Sequence, residues 1–329
     1  MANITFTKGS NLNNSIFGKS EEPIKLFLEK RAEAFEAESV AKQLFSMQTS
    51  NNYGEKMTSM TAMDGFQPVG EGGAHPMDGM QEGYAKFLEH ITWKDRFVIT
   101  REMIDDAKLM DMKKKPEAFI AGYGRTREQY AAALLASAVS GSNGKFKGMT
   151  LDAKCADGQF LFSTAHPSKV KGSNQSNKIN DAFTAAKLGQ LETAMQNFKG
   201  DNGELLDIAP DTIIIPNDYA LKNDVFAAIG ADKDPATANN GFNYHYGRWN
   251  VIVWPYLNSL VSDSCKPWIL FDSKYNETYG GAVWFDRKPL EVSNHIDYDT
   301  DNAVWDGYAR FVAGFNDWRS FAVGGCSIG

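Results

Sequence analysis

Apolar and polar positions alternate with period two along the stretch that ends at residue 99. Phe87, Ile91, Trp93, Phe97 and Ile99 share one face, and Lys86, His90, Thr92, Lys94 and Arg96 share the other. Such alternation predicts a half-buried strand. The preceding residues show no clear period; glycines at 54, 65, 70, 72, 73, 79 and 83 interleave with Met57, Met60, Met63, Met77 and Met80. A long Gly/Met-rich excursion that returns on a strand predicts a large β-hairpin over 53–99, projecting from the body. Loops longer than about 12–15 residues in compact domains are usually functional or are ordered by something else. Two readings fit: an arm that contacts another subunit, or a mobile lid. Methionines suit an adaptable contact surface. On the first reading Met57, Met60, Met63, Phe87, Ile91 and Trp93 are the candidate contacts, because large apolar groups on a projecting strand need burial. Trp93→Ala is then expected to impair association more than subunit folding.

Elsewhere the pattern changes twice. Residues 1–22 are rich in Asn, Ser, Gly and Lys and read as an extended arm. Pro23 is placed to open a helix whose irregular apolar stripe is Ile24, Phe27, Leu28, Phe35, Val40 and Leu44. After the hairpin, Thr100 leads a short helix with carboxylates in its first turn, which ends at Lys113–Lys115. A longer helix runs from about Pro116 to Ser140, with Phe119, Ile120, Tyr123, Tyr130, Leu134 and Ala138 at helical spacing, and stops at Gly141-Ser-Asn-Gly144. Beyond Thr150 short strands and helices alternate. A helix is expected over 181–198, a buried strand at Thr212–Ile215, and a helix capped by Asn217 that reaches Ala228. Further strands are expected at Asn250–Trp254, Trp268–Phe271 and Ala282–Phe285, with a strand-like aromatic tail from Ala303 to Val323.

Composition narrows the function classes. The 329 residues carry 34 Lys and Arg against 41 Asp and Glu, a net charge of −7, and the stretch from Asp201 onward alone carries −9. That balance argues against a protein whose main task is gripping phosphate backbones. Cys155, Cys265 and Cys326 are too few and too scattered for a disulfide framework or a zinc site, and read as small buried thiols in a reducing compartment. No run of about 18 apolar residues predicts a membrane span, and the first ten residues show no export signal.

Motifs for chemistry fail on spacing. Gly141-Ser-Asn-Gly144-Lys145 has two residues between its glycines where a phosphate loop needs four, and Phe146 stands where Ser or Thr should hold magnesium. Gly325-Cys-Ser327-Ile-Gly329 has the letters of a nucleophile elbow without the helix and downstream His. Asp297, Asp299 and Asp301 begin like a calcium loop, but its glycine and glutamate positions hold Asn302 and Tyr308. The five histidines never stand at a metal-ligand spacing, and His166 reads as a hydrogen-bonded structural residue. No enzyme, cofactor or metal site is expected.

The order of elements resembles the major capsid proteins of tailed bacteriophages, the α+β Hong Kong 97-like fold. The resemblance is carried by the sequence of arm, hairpin, long helix and α/β module, and by local stretches. These are Ile99-Thr-Arg-Glu-Met-Ile-Asp-Asp-Ala107, Phe162-Ser-Thr-Ala-His-Pro167, Pro210-Asp-Thr-Ile-Ile-Ile-Pro-Asn217, Val283-Trp-Phe-Asp-Arg287 and Val312-Ala-Gly-Phe-Asn-Asp-Trp-Arg319. It implies an N-terminal arm and helix (1–52), an E-loop hairpin (53–99), a P-domain with a spine helix (100–150 and 280–310) and a mixed α/β A-domain (151–279 and 311–329). It also implies a shell subunit that meets copies of itself as pentamers and hexamers around DNA, with portal and decoration proteins as further partners. Only about 50 residues precede the hairpin, so a scaffolding protein is expected to be a separate chain. Some relatives cross-link an E-loop Lys to a neighbour's Asn with help from a Glu. Lys86 is suitably placed for this, but the other two positions align with Asp306 and Ala313, so no isopeptide bond is expected. An encapsulin-like compartment and a soluble hydrolase with a Gly/Met-rich lid are the alternatives.

Overall fold

The computed structural model describes residues 5–7, 28–35, 37–60, 68–75, 82–106, 109–169, 172–230, 242–262 and 265–326. Its first sheet is built on two long antiparallel strands, β11 (Ala282–Asp297) and β12 (Asn302–Phe315), which pair from Ala282↔Phe315 to Asp297↔Asn302. β5 (Ile91–Ile99) adds antiparallel to β12. On the other side of β11, β2 (Ser46–Thr49) pairs in parallel with 283–286, and β1 (Thr5–Thr7) with 291–293. Between those two partners lies Pro289, which has no N–H to give, and there the β11–β12 register also shifts.

The pleat of this sheet sorts its side chains. Trp284, Phe311, Ala313 and Phe315 point to one face, Val283, Phe285 and Val312 to the other, and all are buried. The first face is covered by the long helix. That helix spans Leu109–Val139, starting before the expected Pro116, with Pro116 inside it. The break expected at Lys113–Lys115 is absent: Lys115 Nζ donates to the Val98 carbonyl at 2.6 Å, and Phe119 and Ile120 bury against the sheet. Tertiary packing outweighs the backbone hydrogen bond that proline removes. Phe119 sits 5.1 Å from Phe97, over Gly307, where an added Cβ would meet the Phe119 ring at 2.3 Å. Arg127 forks onto Asp286 with two bonds of 3.0 Å and lies 4.7 Å above Trp284. The helix ends as expected, with Gly141 at a φ of 60°.

Helical residues 28–35 and Val40–Leu44 pack on the same helix; Ser39, the cap of the second piece, donates to Glu128 at 2.5 Å. The expected start at Pro23 lies outside the described residues. The second sheet has the order β13-β10-β8-β9. Its centre is the apolar run β8 (Thr212–Ile215), fully buried between β10 (Cys265–Phe271) and a parallel β9 (Asn250–Val253); β13 (Phe321–Cys326) closes the far edge. Helices at Ala185–Gln196 and Tyr219–Ile229 turn Leu188, Leu191, Met195, Leu221 and Val225 inward. The cap of the latter is Asp218, not Asn217: its Oδ1 accepts from Leu221 N at 2.9 Å, and that bond holds the carboxyl below its ordinary value.

Two sequence expectations are corrected here. Cys265 is disulfide-bonded, and the β10–β13 register sets Cys326 opposite it; Cys155 is the free, buried thiol. Positions 61 residues apart in sequence are brought side by side by strand pairing, which spacing alone does not reveal. The hairpin also ends earlier than 99. Among the described residues β3 (Gly54–Met60) pairs with β4 (Glu82–Glu89) in a sheet of two, and β5 beyond His90 belongs to the first sheet.

Candidate assembly surface

The hairpin is fixed at its base by a small apolar cluster. Met57 of β3 and Leu88 of β4 bury against Val283, Phe285 and Val312, on the face of the first sheet turned away from the long helix. Leu88 reaches it over Gly314, where a Cβ would stand 2.7 Å from the leucine. Two lysines tie β4 to the α/β module. Lys86 Nζ lies 3.1 Å from Asp152 Oδ2 and donates to the Lys154 carbonyl, and Lys169 Nζ donates to Gly83 O.

The candidate contact residues therefore divide. Trp93 does not project. It stacks on Phe311 at 5.0 Å and 10°, meets Tyr130 edge-on at 5.4 Å, and its Nε1 donates to Phe311 O at 3.4 Å. Tyr130 is itself so enclosed that burial pushes its phenol up to about 12. Ile91 packs half-buried beside both apolar clusters, and Met57 lies within the smaller one. Phe87 stands out on the hairpin, 58% exposed. Met60 belongs to β3 by its backbone; its side chain, and Met63 altogether, lie outside the described residues. The strand reading through Phe87, Ile91, Trp93, Phe97 and Ile99 joined two strands of opposite duty, so residues predicted to share one projecting face are split at His90.

The cross-linking positions are engaged within the chain. Lys86 is buried and ion-paired rather than presented on the hairpin. Asp306 binds Arg96 at 2.6 Å and lies 3.2 Å from His295 Nδ1, while Ala313 is 3% exposed.

A second surface escaped the sequence reading. Tyr219 and Phe226 on the 219–229 helix, and Phe242, Tyr244 and Tyr246 on the next described segment, are 50–84% exposed. The two elements are joined by buried Asn243, whose Nδ2 donates to Ala228 O at 2.7 Å. The usable signal was Phe242-Asn-Tyr-His-Tyr246, an aromatic cluster between Gly241 and Gly247 with no alternating or helical period to bury it.

Elsewhere in the chain the charged groups serve structure. His166, 1% exposed, places Nδ1 at 2.7 Å from Asp157, Nε2 at 3.3 Å from Asn177 Oδ1, and stacks on Trp318 at 4.2 Å. Arg319 donates to Asp201 at 2.9 Å and Asp317 at 3.1 Å; Asp317 also accepts from Tyr275 at 2.8 Å. Burial alone would lower the Arg319 guanidinium, and Asp317, Tyr275 and Asp201 more than reverse it. A cavity of about 560 Å³ lies between the 28–44 helices, the long helix and β11, walled by Phe35, Ile120, Tyr123, Trp254 and Leu290. Its Arg127 and Asp286 are spent on each other, and its Glu128 on Ser39 and the Ala41 amide. The Asp297–Asp301 run forms the β11–β12 turn, where Thr300 and the Asp299 amide cap Asp297 and Arg101 pairs with Asp301. Among the described residues no cluster of three His, Cys, Asp or Glu could hold a metal, and no helix is long and apolar enough to cross a membrane.

The comparisons with known proteins agree with this architecture. A search of curated proteins finds no match. The chain is similar in fold to the capsid of the cyanophage P-SCSP1u, with a TM-score of 0.52, 11% identity, and coverage of 88% of this chain and 89% of that one. Similar structures come from Microbacterium phage Oxtober96 (TM-score 0.50, 11% identity, 88% and 91% covered) and the capsid of Myoviridae phage XM1 (TM-score 0.50, 10% identity, 87% and 90% covered). The model of a family described as phage capsid protein matches residues 85–324, from the hairpin's returning strand to the last strand of the second sheet. With most of its length inside that match and its sheets and long helix arranged as in the Hong Kong 97-like fold, the chain belongs to the phage capsid protein family and is a major capsid shell protein.

Proposed function

We propose that this chain is the repeating subunit of an icosahedral tailed-phage head that encloses double-stranded DNA. It assembles in the host cytoplasm as pentamers and hexamers on a separate scaffolding protein, with a portal at one vertex and surface sites for decoration proteins. The observation that carries the reading is the placement of exposed aromatic groups. Five of them, Tyr219, Phe226, Phe242, Tyr244 and Tyr246, lie on the 219–229 helix and the next described segment, where Tyr219 and Phe242 are 83% and 84% exposed, and Phe87 stands on the hairpin. A monomer that works alone rarely leaves so many large rings in water, because each buries about 150–250 Å² when covered. Five such rings supply an apolar centre for an interface of standard size, about 800 Å² per partner. Phe87 and these aromatics are the proposed intersubunit contacts, in place of Trp93.

The acidic balance fits a lining that does not hold DNA phosphates tightly. Negative-stain microscopy of the protein expressed with its scaffold tests the proposal. Uniform hollow particles are expected, and packaged DNA once the portal and packaging machinery are present. Particles filled with a single enzyme would make it a nanocompartment instead. A strictly monomeric protein under these conditions would overturn the assembly reading.

A further inference from the structure

His90 is the one residue between β4 of the hairpin and β5 of the first sheet, where the chain passes from hairpin to body. It is 4% exposed. Its Nε2 lies 3.0 Å from Ser50 Oγ, at the start of the other leg. Ser50 Oγ donates its only proton to Glu55 Oε1 and accepts from the Asn52 amide at 3.1 Å. That assigns the histidine: Nε2 carries the hydrogen and donates to Ser50, and Nδ1 is a bare nitrogen. Nδ1 is buried and has no hydrogen-bond partner among the described residues. The legs are joined twice more, by His90 N donating to Tyr53 O at 3.4 Å and by the Tyr53 hydroxyl bound to Glu89. Ser50 N also donates to Asp286 O, which fixes the clasp to β11.

We propose that His90 is a proton-operated clasp: adding a proton to its buried, unpaired Nδ1 destabilises the arrangement of His90, Ser50 and Glu55 and loosens the base of the β3–β4 hairpin, while Met57, Leu88, Lys86 and Lys169 still hold its legs to the body.

The physical case is that no acceptor for the new N–H stands among the described residues, together with the sign of the charges around it. Arg287 of β11 and Arg310 of β12 repel an imidazolium, while Glu55 of β3 and Asp286 of β11 attract it. Asp286 is already committed to Arg127, and Glu55 to Ser50 and Asn52. Burial acts first to lower the affinity of His90 for a proton, with Arg287 next, and the carboxylates do not restore it. A base whose folded value lies below its unfolded one favours the closed clasp fully above the ordinary histidine value of 6.5. That contribution is lost as the pH falls from there through the folded value. Met57 and Leu88 in the apolar cluster carry no titratable group and continue to anchor the hairpin, so opening is a local event rather than unfolding.

The test is hydrogen exchange on the full-length, unassembled subunit between about pH 8 and about pH 5, corrected for intrinsic exchange. The base amides of Ser50, Asn52 and His90 are expected to lose about tenfold in protection on acidification, while the β3–β4 and β11–β12 ladders stay protected. His90→Gln keeps a donor near Ser50 and does not titrate; its base amides should hold their protection at both ends of the range. The same acid-induced loss in His90→Gln, or no loss in the wild type, overturns the proposal. An independent reading comes from an NMR titration of the wild-type histidines: the base amides should follow the His90 ring. Base amides that track another group would equally refute it.

Discussion

Replacing Trp93 with alanine removes a ring from the middle of the subunit's aromatic core, and the size of the loss can be worked from its contacts. Burying a tryptophan and then truncating it costs about 3–5 kcal/mol, with aromatic pairs contributing about 0.5–1.5 kcal/mol each. Trp93 has three ring neighbours, Phe311 at 5.0 Å, Tyr130 at 5.4 Å and Phe146 at 6.1 Å, but is only half-buried, and its 3.4 Å hydrogen bond is long. The lower end of the range applies, about 3 kcal/mol. For a chain of this size that corresponds to a fall of roughly 5–10 °C in the unfolding midpoint of the unassembled subunit. The control is Phe87→Ala. Phe87 is 58% exposed, and its removal should change subunit stability by no more than about 0.5 kcal/mol while lowering particle yield. Differential scanning calorimetry or denaturant titration of both variants, paired with particle counts by microscopy, separates the roles. A Trp93→Ala subunit that melts like the wild type yet fails to assemble would refute the core assignment and return Trp93 to the interface.

Two further expectations follow from buried charge and from the engaged cross-link positions. Arg319→Ala leaves Asp201 and Asp317, both nearly buried, without their cation, and should cost about 3–5 kcal/mol in a denaturant titration; a loss below about 1 kcal/mol would show that water replaces the guanidinium freely. Mature particles boiled in denaturant with reductant should give a single band near 36.4 kDa, since Lys86 is held by Asp152, Asp306 by Arg96, and Ala313 has no reactive group. A ladder of covalent multimers would contradict it.

Local periodicity was enough for the elements whose burial depends on near neighbours. The apolar stripe from Phe119 to Ala138 marks the long helix, and the four consecutive buried residues of β8 mark a strand covered on both faces. The position of His166 next to Pro167, without a metal-ligand partner in sequence, correctly pointed to a structural histidine, now seen between Asp157, Asn177 and Trp318. Features that rest on pairs far apart in sequence were not legible. Trp93 and Phe87 have the same pattern of neighbours, yet one strand pairs with β12, more than 200 residues away, and the other with β3. Nothing in the alternation marks His90 as the point where the partner changes.

The order of hairpin, long helix and α/β module is therefore written in periodicity and punctuation, because hydrophobic spacing and glycine or proline placement act within a few residues. Which side chains remain for other subunits is not. Lys86 is buried by the Asp152 carboxylate, Cys265 is covalently paired on the strand beside β13, and Trp93 is enclosed by Phe311 and Tyr130. Phe87 and Phe242 are left in water. Exposure is set by what else the folded chain brings to the same place, and that is a property of long-range pairing, not of the local pattern.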